Sequence, residues 1–217
     1  DTNDEKLSFS IPTGNFGDIF AGYLASEMGL PIQHLYLATN ENDVLCKAFD
    51  NGVYRKGDVH QSISPSMDIQ LASNFERYLY YRCGQDGAKL SSLMEEFKST
   101  GELHFDLTND LIKAKKCEQT QTLSTIKSHQ DEANYLLDPH SATGVFVAET
   151  LAAENETVVC LATAHPGKFP DAIEQACGEA LGSHPRLEAL KNKEMKFHVA
   201  SANGAEIKAI LESQLKG

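Results

Sequence analysis

The stretch IPTGNFGDIF, residues 11–20, constrains this chain more than any other. A short apolar run, LSFSIP, passes into Thr13-Gly14-Asn15-Phe16-Gly17, and beyond the glycines the apolar pattern changes period. Phe20, Leu24 and Met28 then fall four apart on one face, with Ile19 and Tyr23 beside them, before Gly29 and Pro31 supply a stop. The pattern predicts a strand, a tight turn and a helix. IQHLYLATN reads as a second buried strand and ENDVLCKAF as a second helix closed by Asn51-Gly52. This alternation predicts an α/β fold with a mostly parallel sheet covered by helices on both faces.

The stretch from Gln85 to Leu137 reads differently. It is polar and helix-favouring, with stripes such as Leu90, Leu93, Met94 and Phe97 and no convincing strand. We therefore expect a helical insertion at 85–137 within an α/β domain formed by 1–84 and 138–217. Asp138 is placed to cap a helix with Pro139 at its first position, running through HSATGVFVAETLAAEN. TVVCLATA is a near-continuous apolar strand, and the block after it, HPGKFPDAIEQACGEALG, turns into a helix with Pro170 near its start. MKFHVAS and AEIKAILESQL read as a last strand and helix that finish the sheet pattern.

Charge and composition narrow the functional classes. A net charge of −12 with no dense Lys/Arg cluster makes nucleic acid and anionic membranes poor partners. The five cysteines are scattered without a C-x-x-C pair and read as reduced thiols of a cytoplasmic protein, while the eight histidines show no metal-ligand spacing. No apolar run approaches the ~20 residues that span a bilayer. The start, DTNDEKLSF, lacks an initiator Met and a signal pattern, and reads as the interior of a longer chain.

A strand-to-helix turn exposes unpaired N–H groups, the helix dipole adds partial positive charge, and glycines let a ligand approach the backbone. A phosphate is the natural guest. Glu41, at the end of the second strand, stands where the ribose-binding acid of a dinucleotide site belongs, but Gly14 and Gly17 give G-x-x-G rather than G-x-G-x-x-G. No G-x-x-x-x-G-K-[ST] is present either. On pattern alone a plain turn stays open beside the phosphate site.

PTGNFGDIFAGYLASEMGLPI, LATNEND, SPSMDIQLASNFER, DPHSATG and TAHPGKFPDAI, in that order, together resemble the threonine synthase family, pyridoxal-phosphate enzymes of the tryptophan-synthase-β-like fold. The resemblance implies that Gly14, Asn15, Phe16, Gly17 and Asp18 cradle the phosphate of pyridoxal 5'-phosphate. Main-chain N–H groups would do most of this, with Phe16 packing inward and Asp18 capping the helix and pointing away. It implies that Thr163 meets the pyridine nitrogen with its hydroxyl; unlike an aspartate, a hydroxyl does not hold that nitrogen protonated. The implied reaction converts O-phospho-L-homoserine and water into L-threonine and phosphate.

The family's Schiff-base lysine and the loop that holds the substrate carboxylate lie upstream of the matched region. The chain is therefore expected to be an inactive C-terminal portion of an incomplete fold, with no catalytic residue of its own and the missing N-terminal portion as its partner. Lys168, in HPGKFP, is not that lysine. Ser66, Asp68, Asn74, Arg77, His165 and Lys168 are expected to line the substrate cleft, and His140 is read as a capping or packing residue. Gly167 and Ser141 depart from the family's usual Ala and Thr without disturbing the reading. Bulky residues at Gly14 or Gly17 are expected to weaken cofactor binding far more than folding. Two alternatives stand beside this reading, a related lyase acting on another phosphorylated amine or amino acid and a non-catalytic interaction domain.

Overall fold

The apolar run that opens the chain is a strand. In the computed structural model, which describes residues 6–104 and 111–215, β1 (Leu7–Pro12) leads into α1 (Gly17–Glu27) and β2 (Ile32–Thr39) into α2 (Val44–Asn51). The short β3 (Val53–Arg55), α3 (Phe75–Arg82), α4 (Gly87–Thr100) and β4 (Glu102–His104) follow. Then come β5 (Ile112–Lys116), α5 (Gln119–Ala133), α6 (Pro139–Leu151), β6 (Val158–Cys160) and α7 (Pro170–Cys177). The chain divides into two compact units, Asp1–Ser183 and His184–Gly217.

In the first unit the main sheet has the order β5-β2-β1-β6 with every neighbouring pair parallel, and β3 pairs with β4 in a separate antiparallel ribbon. Alternation along β2 assigns the two faces. Leu35 and Leu37 enter a core shared with Ile19 and Phe20 of α1 and Val44 and Leu45 of α2, while Tyr36 and Ala38 enter the one that holds Val147 of α6. On β1, Ser10 lies on the α6 side and donates to the Gly144 carbonyl at 2.6 Å. A Cβ on Gly144 would come within 3.1 Å of the Pro12 ring, so a glycine here lets α6 lie close against β1.

Three expectations change. The stretch 85–137 contributes β4 and β5, and β5 runs beside β2 from Leu35↔Ile112 to Thr39↔Lys116. IKAKK alternates apolar and lysine residues as an edge strand with one wet face does, and is too poor in apolar residues to stand out. The strand in TVVCLATA ends at Cys160, although the Leu161 N–H still reaches the Ser10 carbonyl at 3.0 Å. In the second unit, which holds α8 (Pro185–Glu188) and α9 (Gly204–Leu215), MKFHVAS is not a strand. Met195, Phe197 and Val199 keep strand-like alternation but are exposed, and no described segment pairs with their backbone.

Candidate functional site

The topology itself selects a crevice. From β1 the chain builds the sheet one way through β2 and β5 and the other way to β6, so the order reverses between β1 and β6. In open parallel sheets ligands bind outside the carboxyl ends of the strands at such a switch point. The loop after β1 is the glycine loop. The segment after β6 holds Leu161 to Thr163 and then the turn of His165 to Lys168.

At the first wall the sheet's last bond is from the Thr13 N–H to the Ala38 carbonyl, at 2.8 Å, and the helix's first is from the Phe20 N–H to the Phe16 carbonyl, at 3.2 Å. Between them, the N–H groups of residues 14 to 19 donate to no acceptor among the described residues. A helix always leaves its first amides unsatisfied, and here those of the loop are added to them. Residues 14 to 18 of this run border a cavity of about 170 Å³ lined by residues 11 to 18.

Phe16 is the N-cap of α1, in a left-handed conformation at φ 65°. Its ring is fully buried, 5.1 Å from Phe75 and 5.5 Å from Tyr78, which turns the side chain inward as expected and leaves only its backbone for a ligand. Asp18 is therefore not the cap; it stands exposed in the first helical turn. Asn15 is exposed, and its carbonyl accepts from the Asn74 N–H at 3.0 Å.

The two glycines turn out to be unequal. A Cβ at Gly14 would stand 2.9 Å from the Ser66 carbonyl oxygen, so a side chain there strains the fold as well, which weighs against the expectation that binding would suffer far more than folding at this position. At Gly17 the nearest atom is Asn74 Nδ2 at 3.4 Å, an ordinary contact.

The segment bearing Ser66 is held by a polar cluster. Asp68 Oδ1 accepts from Asn40 Nδ2 at 2.8 Å, Asn42 Nδ2 at 3.1 Å and Ser62 Oγ at 2.6 Å, and Oδ2 accepts from the Ser62 N–H at 2.8 Å. Both oxygens of Asp68 are thus engaged within the protein.

A second buried cluster lies at the start of α6. Asp138 caps the helix by accepting from the His140 N–H at 2.9 Å, as read from the sequence. Its Oδ1 also faces His140 Nδ1 at 3.0 Å, and its Oδ2 accepts from the Ser141 hydroxyl. His140 Nε2 accepts from the Ser66 N–H at 3.2 Å, so the ring proton sits on Nδ1 and is donated to Asp138. Ser141 Oγ in turn accepts from the Thr163 N–H at 3.1 Å. Burial pushes the Asp138 carboxyl up, but hydrogen bonds from His140 and Ser141 prevail and hold it below the ordinary carboxylate range. The sequence showed the cap but not this chain; its only trace was the run of polar residues in DPHSATG at the start of a buried helix.

Thr163, Arg77 and Lys168 are exposed, and neither cation stands in an ion pair among the described residues. His165 Nδ1 accepts from the Gly167 N–H at 3.1 Å. A larger groove of about 760 Å³, which includes Glu41, Asp43, Lys47, Arg55, Lys56 and Lys116, shares no residue with the loop cavity. Its Lys47, Arg55 and Lys116 are paired with Asp43, Glu102 and Glu118, so we place the site at the loop. Among the described residues no cluster of His, Cys, Asp or Glu could hold a metal, and no helix is long and apolar enough to cross a membrane.

Comparison with known proteins gives a consistent result. Residues 141–211 match the family described as threonine synthase, C-terminal. The threonine synthase of Pseudomonas aeruginosa is 43% identical over 190 residues, covering 85% of this chain and 40% of that protein. That of Corynebacterium glutamicum is 41% identical over 209 residues, covering 90% of this chain and 43% of the relative. The crystal structure of PLP-bound threonine synthase from Brucella melitensis superposes with a TM-score of 0.90 at 40% identity, over 100% of this chain and 48% of that one. The chain thus spans less than half the length of these relatives.

Proposed function

The chain belongs to the threonine synthase family and matches its C-terminal part, and from that premise we propose that it forms the cofactor-phosphate side of an enzyme converting O-phospho-L-homoserine and water into L-threonine and phosphate. The cofactor is pyridoxal 5'-phosphate, which when bound supplies an electron sink for removing protons from the amino-acid substrate. The observation that carries this reading is the run of amides from 14 to 18, which donate to no acceptor among the described residues, beside a cavity of about 170 Å³. Neutral N–H donors and a helix N-terminus fit a phosphate. The main chain of Gly14, Asn15, Phe16, Gly17 and Asp18 would hold that phosphate, and the Thr163 hydroxyl would take the pyridine nitrogen across the crevice.

Arg77 and Lys168 are our choice for the anionic groups of the substrate, with Ser66, Asn74 and His165 beside them. Asp68 is reassigned to holding the Ser66 segment, because its oxygens are engaged. We place the amine that carries the cofactor in the N-terminal part of the relatives' length that this chain does not match, and the enzyme in the cytoplasm. We keep 85–137 as an insertion in a phosphate-binding domain, with β5 joined to that domain's sheet.

The test is phosphate release from O-phosphohomoserine by the full-length protein, with and without pyridoxal phosphate. Cofactor-dependent phosphate and threonine in equal amounts are expected. Gly17→Asp, which meets only an ordinary contact with Asn74, should fold yet bind the cofactor at least about tenfold more weakly, the equivalent of roughly one lost charge-assisted hydrogen bond. Turnover of a different phosphorylated amino acid alone would move the chain to a related lyase. Absence of both binding and turnover would overturn the reading.

A further inference from the structure

We propose that Asp138 is a positioning residue that ties the two walls of the crevice to one buried carboxylate, through His140 on the phosphate side and through Ser141 on the Thr163 side. The inference rests on the functional reading above. Its geometry stands on its own. Asp138 is 2% exposed and His140 4%, so both are held in the protein interior rather than at the surface of the crevice.

Starting at one wall, the Ser66 carbonyl abuts Gly14, and the Ser66 N–H is held by His140 Nε2 at 3.2 Å. The imidazole can accept there only with its proton on Nδ1, where Asp138 Oδ1 receives it at 3.0 Å. Phe169 packs against the ring at 4.8 Å between centroids. From the other wall, the Thr163 N–H is held by Ser141 Oγ at 3.1 Å, and the Ser141 proton goes to Asp138 Oδ2. Every donor in the chain has one acceptor, and the carboxylate terminates both arms. Such a fully satisfied polar chain in a buried setting fixes geometry, because each lost partner leaves another polar group unpaired.

The arms predict separable effects. Ser141→Ala removes the acceptor of the Thr163 N–H, so the ring end of the cofactor should be disturbed. Ser141→Thr keeps the hydroxyl and should restore it. His140→Leu removes the acceptor of the Ser66 N–H and should act on the phosphate end, whereas His140→Gln offers a carboxamide oxygen in its place.

We would titrate the full-length variants with pyridoxal phosphate, recording the dissociation constant and the absorbance of the bound cofactor, and measure thermal unfolding without it. Ser141→Ala should shift the absorbance, and each disruptive variant should weaken binding about tenfold, the fold-change of one lost hydrogen bond. His140→Leu should leave the absorbance maximum in place. All four variants should unfold cooperatively, so that weakened binding is read on folded protein. In the wild type, nitrogen NMR of His140 should find Nε2 without a proton.

Wild-type binding and absorbance in Ser141→Ala, or a proton on Nε2 of His140, would overturn the proposal. Loss of binding that neither Ser141→Thr nor His140→Gln restores would do so as well. A wild-type protein that binds no pyridoxal phosphate overturns the functional reading and with it the positioning role, and the NMR result then decides separately whether the hydrogen-bond chain exists.

Discussion

Phe16 holds a left-handed backbone, φ 65° and ψ 14°, with its side chain fully out of water. That conformation costs on the order of 1–2 kcal/mol for a residue with a Cβ, and glycine would relieve it. The ring's contacts with Phe75 and Tyr78 outweigh the strain. Phe16→Ala keeps the strain and loses the ring, so urea unfolding should show a loss of about 3–5 kcal/mol. Phe16→Gly should be less damaging than alanine, and the opposite order would mean that the backbone is not strained. The neighbouring glycines divide in a different way. Gly14→Ala drives a methyl into the Ser66 carbonyl and should cost about 1–3 kcal/mol, whereas Gly17→Ala should stay within about 0.5 kcal/mol of the wild type.

Elements at the opposite end of the sheet are joined by a buried carboxylate. Glu156, in the α6–β6 connection, has a side chain only 3% exposed. It accepts from the Ser8 hydroxyl on β1 and from His34 Nδ1 at 2.9 Å and the Tyr36 hydroxyl at 2.7 Å on β2. Burial pushes its carboxyl up, but hydrogen bonds from Ser8, His34, the Ala153 N–H and Tyr36 prevail and hold it down to about 2, from an ordinary 4.5. A depressed folded-state value means stability that is fully present above 4.5 and lost as pH falls toward 2. The amount is on the order of 3 kcal/mol. Urea midpoints between pH 6 and pH 3 should therefore fall faster for the wild type than for Glu156→Gln, and parallel curves would remove Glu156 from this role. None of this latch was legible in the sequence, because its members are brought together by strand pairing. What was legible is what local pattern encodes: β1, α1, β2 and α2, and the Asp138-Pro139 helix start. β5 was missed because an edge strand with lysines on its wet face lacks a continuous apolar run, and MKFHVAS was misread because alternation predicts a strand only where a neighbour takes its hydrogen bonds. The glycine loop was found, while the unequal roles of Gly14 and Gly17 depend on Ser66 and Asn74, far away in sequence.

At the scale of the whole molecule, the two walls of the crevice and the polar chain behind them are present, while the relatives extend well beyond the matched region. On our reading the amine that holds the cofactor lies in that further part, which leaves Lys168 as the competing candidate because it is exposed in the turn after β6. Borohydride reduction with pyridoxal phosphate separates the two, since it fixes the cofactor to whichever lysine holds it and leaves a mass increment that peptide mapping can place. The 217-residue chain alone should remain unmodified, and the full-length protein should carry a single pyridoxyl group on a lysine outside these residues. Phosphate release should follow the same division, absent from the chain alone and restored with the full-length protein. If the label falls on Lys168 in the chain alone, the crevice contains its own amine, and the assignment of catalysis to the upstream part is wrong. If it falls upstream, the covalent attachment belongs to the part of the enzyme that this chain does not match, and the contacts we propose for the glycine loop and for Thr163 remain as this chain's share of the site.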